Sequence, residues 1–114
     1  MKSKTFRDSR GSIEKHKSFN VLYTKKGVYR SGDIHPNVQY DCIVKGSITV
    51  KFRQCDKDIE ETYCAPIVIT IPKNTPHLFY FRENTIMIEW WSGKFKAKYY
   101  KPYRDIVEAN KSAQ

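Results

Sequence analysis

The sequence predicts an all-β fold: a single-domain sandwich or barrel of short strands, closed by one short C-terminal helix. Three observations carry this. Apolar and polar residues alternate with a period of two in several short runs, turn-forming residues punctuate those runs at regular spacing, and no stretch before residue 102 shows helical periodicity. The chain of 114 residues is one domain's worth of sequence, with the packed core expected over about 18–101 and partly flexible ends.

Phe19 to Tyr23 reads as a strand ended by Lys25-Lys26-Gly27, and Tyr40 to Val44 as a second, closed by Lys45-Gly46-Ser47. Ile48, Val50 and Phe52 then alternate with Thr49, Lys51 and Arg53, the pattern of a half-buried strand with one wet face. Asp56-Lys57-Asp58 marks the next turn. Ile67, Ile69 and Ile71 alternate with Val68 and Thr70 before the double-proline connection Pro72-Lys73-Asn74-Thr75-Pro76. Two further strands, His77 to Arg82 and Thr85 to Trp91, are joined across Glu83-Asn84. Ile69, Ile71, Phe79 and Ile88 are expected in the core. Trp90 and Trp91 fall on opposite faces, so at least one ring is expected there too. Pro102 suits a first helical position and opens a short helix over 102–108, and residues 110–114 are expected to fray.

The composition, 39% hydrophobic and 14% aromatic against 29% charged, belongs to a globular chain. Cys42, Cys55 and Cys64 form an odd set with no Cys-x-x-Cys pair, which argues for reduced thiols. No apolar run approaches the roughly 20 residues of a membrane span, and the Lys-rich start lacks the apolar segment of a signal peptide, so a soluble cytoplasmic protein is expected. The net charge of +9 is uneven: residues 1–30 carry +7, residues 31–93 carry −2 and residues 94–114 carry +4. Charge confined to the flanks fits solvated ends, or a rim that attracts an anionic ligand, better than a continuous phosphate-tracking stripe. Nucleic acid is therefore not the expected partner, although Lys96-Ala97-Lys98-Tyr99-Tyr100-Lys101 interleaves bases with aromatics.

Two stretches, in this order, resemble the paired motifs of the cupin superfamily, small β-barrels of jelly-roll type. In the first, Gly32-Asp33-Ile34-His35-Pro36-Asn37-Val38-Gln39 precedes Gly46, and the ligand places read Asp33, His35 and Gln39. In the second, Pro72-Lys73-Asn74-Thr75-Pro76-His77 ends on the motif histidine, with Asn74 in the usual glycine place. The resemblance spans residues 30–91 and implies a jelly roll whose cavity is lined by His35, Gln39 and His77. Asp33 and His35 lie two apart on a strand and share a face. If a metal is bound, Asp33, His35, Gln39 and His77 are its candidate ligands; the rival reading is a pair of hydrogen-bonded cavity histidines.

A narrower resemblance draws on Asp8-Ser9-Arg10-Gly11-Ser12-Ile13, Arg30, Gln39 before Gly46-Ser47, Ile71-Pro72-Lys73 and Tyr103-Arg104-Asp105. These look like the nucleotide-sugar 3,4-ketoisomerase cupins, to which the 3,5-epimerase cupins are similar. The resemblance implies a metal-independent homodimer without a cofactor, moving a proton between neighbouring carbons of a dTDP-linked 4-keto-6-deoxyhexose. Where that family has a histidine pair this chain has Asp33 first, and only His35 carries over. The chemistry is accessible to these residues: His35 can take a proton next to a ketone, Asp33 can orient it, and His77 or Tyr23 can donate to the enolate oxygen. Arg30 suits a pyrophosphate, and Gln39 is assigned with it to substrate binding. The plain alternatives are an ion pair of Arg30 with Asp33 or Asp41 and ordinary strand packing for Tyr23. A metal-dependent oxygenase and a non-catalytic sugar- or small-molecule-binding cupin are the competing function classes.

Overall fold

The structure is a computed structural model and describes residues 4–112. Eleven strands precede one helix: β1 (Lys4–Asp8), β2 (Gly11–Lys15), β3 (Asn20–Thr24), β4 (Tyr29–Ile34), β5 (Gln39–Lys45), β6 (Ser47–Gln54), β7 (Lys57–Cys64), β8 (Ile67–Ile71), β9 (His77–Phe81), β10 (Thr85–Trp91), β11 (Lys98–Tyr99) and α1 (Lys101–Ser112). They form two antiparallel sheets, in the orders β1-β2-β3-β10-β5-β8 and β11-β4-β9-β6-β7. Leu22, Ile43, Ile69, Ile71 and Met87 from one sheet meet Ile48, Val50, Phe79 and Phe81 from the other in a common core.

The alternating runs became the expected strands, and Ile69, Ile71 and Phe79 are buried as expected. Five expectations need correction. Ordered structure begins well before residue 18, because β1 and β2 extend the six-stranded sheet at its edge. A further strand, β7, follows the Asp56 turn and pairs with β6 along its whole length. The interior residue of β10 is Met87, while Ile88 points outward with Trp90 and is only partly buried. Neither tryptophan enters the core: Trp90 stacks on Tyr40 outside the sheet, and Trp91 faces an interior cavity. The helix also runs beyond residue 108. Asn110 lies inside it and ties it to the β3–β4 connection, accepting from the Tyr29 amide and donating to the Gly27 carbonyl.

One irregularity decides where the polar residues point. In a regular strand Arg30 and Asp33, three apart, would face opposite sides. Between Ser31 and Asp33 the pairing of β4 with β9 slips by one residue, a β-bulge at which Ser31 (φ 83°) and Gly32 (φ 71°) are both left-handed. The slip brings Arg30, Asp33 and His35 onto the same inner side. The bulge is held from outside by α1: Arg104 Nη1 donates to the Ser31 carbonyl at 2.9 Å and the Tyr100 amide to the Gly32 carbonyl at 2.9 Å. A Cβ on Gly32 would lie 2.8 Å from the backbone nitrogen and Cα of Arg104. Tyr103 and Val107 complete the seal by packing on Leu78, and the Tyr103 hydroxyl donates to Asp58 at the β6–β7 turn. Gly32→Ala is expected to cost about 1–3 kcal/mol, read in thermal denaturation as a Tm lower by roughly 4–12 °C. An unchanged Tm would mean that α1 does not press on the bulge.

The barrel interior is not apolar throughout. Asp41 on β5 is fully buried and stands directly across the ladder from Glu89 on β10. Burial pushes the Asp41 carboxyl well above its ordinary range, the Glu89 charge pushes it further, and the two bonds donated by Gln39 Nε2, at 3.2 and 3.0 Å, offset only part. The folded chain thus holds this proton more tightly than the unfolded chain. Stability falls as pH rises from the unfolded value of 3.8 through the folded pKa, and stays lower above it. Asp41→Asn should therefore raise Tm near neutral pH by about 4 °C or more, with the gain shrinking towards pH 4 in a pH series of melting curves.

Candidate functional site

At one end of the barrel the sheets part around a cavity of about 940 Å³. Arg30, Asp33 and His35 enter it from β4 and the residue after it, Gln39 from β5, Glu89 and Trp91 from β10, and Asn20 from β3. The segment 92–97 straps across the opening. Asn37 Nδ2 donates to the Lys94 carbonyl at 2.7 Å, the Val38 amide donates to Ser92 Oγ at 3.1 Å, and β11 then pairs with β4 beside Asp33. Phe95 on the strap sits edge-on to Trp91, ring centroids 4.6 Å apart, and 5.4 Å from the His35 ring.

The inner wall of this end is a three-residue cluster. His35 Nε2 lies 3.4 Å and His77 Nε2 3.2 Å from the same oxygen, Asp33 Oδ1, which also accepts from Ser31 Oγ at 2.6 Å. The far nitrogens are already committed: His35 Nδ1 donates to the Lys96 carbonyl at 2.8 Å and His77 Nδ1 to the Thr75 carbonyl at 2.9 Å. Each imidazole therefore lies between two oxygen acceptors, and a neutral ring has one hydrogen to give. His77 Nε2 is buried without a hydrogen-bond partner among the described residues. Burial disfavours a charge on His35, but the adjacent Asp33 carboxylate and the Lys96 carbonyl outweigh it and raise the pKa. For His77 burial wins over Asp33 and lowers the pKa. Burial works to raise Asp33, yet the two histidines and Ser31 hold it below its ordinary value. The cluster is thus an Asp33 carboxylate shared by a readily protonated His35 and a neutral His77.

This geometry also fits a metal ion. Asp33, His35 and His77 each offer one ligand atom, all within 4.8 Å of one another, and with both Nδ1 atoms occupied the Nε2 atoms beside Asp33 Oδ1 are the ones left to donate. Gln39 does not join them: its Nε2 is spent on Asp41 and its Oε1 accepts from Trp91 Nε1 at 3.2 Å. The donor set for an ion is Asp33, His35 and His77.

Arg30 enters the same cavity three residues before Asp33 on β4, away from the ion pairs considered for it. Its Nε donates to Thr24 Oγ1 at 2.9 Å, while Nη2 is buried without a partner among the described residues. Burial and the neighbouring Arg10 lower its pKa to about 10, against the opposing pull of Asp8 and Glu89. Arg10 is already paired to Asp8 at 2.6 Å, which leaves Arg30 the side with donor capacity to spare. The rim is basic and aromatic: Lys15, Lys17, Lys94 and Lys98 surround it with Phe19 and Tyr99. Basic residues from both flanks of the sequence line this one opening.

The structure brings together Arg30, Asp33, His35, Gln39 and His77, with differences. His77 is fully buried behind Asp33 rather than open to the cavity. Tyr23 is not in the site: it follows the inward Leu22 on β3, so it points out of the sheet and borders a separate surface depression with Lys25 and Lys45. Glu89 and Arg10 were not anticipated. Burial and the Asp33 charge raise the Glu89 carboxyl above its ordinary range, although Asn20 Nδ2 donates to it at 2.9 Å. The parity of β10 places Glu89 on the Met87 face, and that was the only sequence signal for it.

No protein-family model matches the chain and no curated protein matches it. Among solved structures, it resembles the capsular polysaccharide assembling protein CapF from Staphylococcus aureus, with a TM-score of 0.70 and 19% identity over 86% of this chain and 34% of that one. CapF with the inhibitor 3-isopropenyl-tropolone gives 0.71 and 18%, over 86% and 34%. The S161A mutant of Bacillus subtilis oxalate decarboxylase OxdC gives 0.70 and 13%, over 82% and 28%. The chain spans about a third of these proteins' lengths. At such identities the likeness speaks for the fold alone, and the two facing antiparallel sheets agree with it: this chain has a jelly-roll β fold like that of these structures.

Proposed function

We propose that the cavity catalyses proton transfer on a nucleotide-linked 4-keto-6-deoxy sugar, as an isomerase or epimerase that works without a metal. The observation that carries this reading is the pairing, in one cavity, of an imidazole backed by a carboxylate with a buried guanidinium whose Nη2 has no partner among the described residues. A carbon next to a ketone is acidic enough for His35 Nε2 to take its proton, and Asp33 makes the ring the stronger base. The ketone oxygen gains a proton as the enediol forms; Glu89, whose carboxyl burial and the Asp33 charge raise above its ordinary range, lines the cavity and is assigned the donor role in place of Tyr23 or His77. Return of a proton to carbon, with one enediol hydroxyl giving up its proton as the new ketone forms, completes the step with no change in electron count. Arg30 holds phosphate, the basic rim draws the anion in, and Phe19, Phe95 and Tyr99 offer faces to a base. The likeness to a protein named for capsular polysaccharide assembly supports a sugar ligand. The sequence resemblance adds a homodimer to this reading, and the cytoplasmic location expected from the sequence goes with it.

Incubation with dTDP- or UDP-linked 4-keto sugars in deuterated water should place deuterium next to the ketone. His35→Ala should slow that exchange on the order of 10²–10⁴-fold, and Arg30→Ala should chiefly raise KM. No incorporation from any of these sugars would sink the proposal.

The three clustered ligand atoms favour a second reading, a metal-dependent cupin. A bound ion would sit on Asp33, His35 and His77 and supply Lewis-acid polarisation of a ligand oxygen. Titration of the chelator-treated protein with Mn²⁺ or Zn²⁺ should then show one site per chain, weakened at least roughly 100-fold by His77→Ala. Absence of binding by the untouched chain removes this reading.

A further inference from the structure

The depression that Tyr23 borders lies on the outward side of the six-stranded sheet and has a volume of about 440 Å³. One row of facing residues crosses it: Arg7 on β1, Ser12 on β2, Tyr23 on β3, Ile86 on β10 and Lys45 on β5. Lys25, just after β3, and Asn84, just before β10, close its end. Lys45 belongs to this row only through an irregularity. Ile43 is fully buried, so on a regular strand the residue two further on would face the core as well. Instead Ile43 stands opposite Met87 and Lys45 opposite Ile86, with Val44 as the extra residue of a second β-bulge. Val44 and Lys45 are both exposed, and the ammonium is turned out of the core towards Ile86.

We infer that this depression is a binding site for a small organic acid, one carboxylate or phosphate group carried on a flat apolar ring. The inference concerns a different surface from the cavity and holds whatever the cavity does. Charge is the first argument. Arg7, Lys25 and Lys45 line the depression, and none of the three pairs with a carboxylate among the described residues. The one carboxylate in the wall, Asp8, is spent: it accepts from the Arg10 amide and twice from the Arg10 guanidinium. Asn84 Oδ1 accepts from the Lys26 amide at 2.9 Å, which leaves Nδ2 to donate. A rim of donors without a free acceptor selects an anion. The floor is the second argument. The exposed Tyr23 ring and Ile86 lie between Arg7 and Lys45 in the row, so the anionic group rests beside apolar surface that an inorganic ion would leave unused. Size is the third. A volume of about 440 Å³ falls within the range of small-molecule sites. It is about half the 940 Å³ of the cavity and suits one ring with its acid group rather than a nucleotide-linked sugar.

The test is an NMR titration of the full, isotope-labelled chain with phenyl phosphate and with benzoate. At least one of these probes should saturate shifts of the Tyr23, Lys25, Lys45 and Ile86 amides with a Kd on the order of 1 mM, and the tighter of the two names the acid group. Phenol, which lacks the charge, and inorganic phosphate, which lacks the ring, should bind these residues at least roughly tenfold more weakly. Lys45→Gln and Arg7→Gln should each weaken the better probe at least about tenfold, with an unchanged circular dichroism spectrum. Lys94→Gln, on the cavity rim, should leave that Kd as it is. Probe shifts confined to the cavity residues His35, Trp91 and Lys94, a Kd that neither Lys45→Gln nor Arg7→Gln changes, or inorganic phosphate bound as tightly as either ring acid, would each overturn the inference.

Discussion

The bulge at Ser31 and Gly32 is the constraint on which the cavity depends. A strand offers each face every second residue, so a guanidinium and a carboxylate three positions apart cannot share an interior without an inserted residue. The insertion requires two left-handed residues, one of them a serine, and leaves two carbonyls out of the ladder. Both carbonyls are taken by α1 and the turn before it, and the helix backbone fills the space a side chain at Gly32 would need. The C-terminal helix is thereby part of the site without touching its chemistry: it keeps β4 in the one phase that aims Arg30 and Asp33 at the same volume.

The same economy of partners runs through the histidine cluster. Two backbone carbonyls, of Thr75 and Lys96, fix which nitrogen of each ring faces Asp33, one from the turn before β9 and one from the strap before β11. Rotation of either ring would leave a buried carbonyl or a buried imidazole nitrogen unpaired, which costs more than the bond itself contributes. The cluster is accordingly stiff in orientation and unsatisfied in charge. It lacks one positive centre at the shared Asp33 oxygen, and either a proton on His35 or a bound cation fills that need.

How far the sequence revealed this depended on contrast between the two faces of each strand. β6 was legible because Ile48, Val50 and Phe52 oppose Thr49, Lys51 and Arg53. On β10 both faces carry apolar side chains, so alternation alone could not tell Met87 from Ile88, and the core place expected for at least one tryptophan is taken by neither. β7 has only Ile59 and Tyr63 among polar neighbours, and β1 and β2 are short and charged, the usual look of edge strands. In the site, motif spacing located Asp33, His35 and His77. It could not show the bulge, since Ser31-Gly32 reads as any turn dipeptide, nor Glu89, which has no motif around it. Tyr23 was suggested by its hydroxyl, although the inward Leu22 beside it already implied the other face.

The side-by-side tryptophans give the molecule two separate optical reporters. Trp91 touches His35 and Phe95 inside the cavity, ring centroids 5.5 and 4.6 Å apart, while Trp90 lies on the far side of the same strand against Tyr40. An imidazolium beside an indole quenches its emission, so light from Trp91 follows the protonation and occupancy of the cavity. Trp90, with no imidazole among its ring partners, follows only the polarity of the outer face. Fluorescence from a chain in which one of the two is replaced by phenylalanine therefore reads one side of the sheet at a time, without an attached dye.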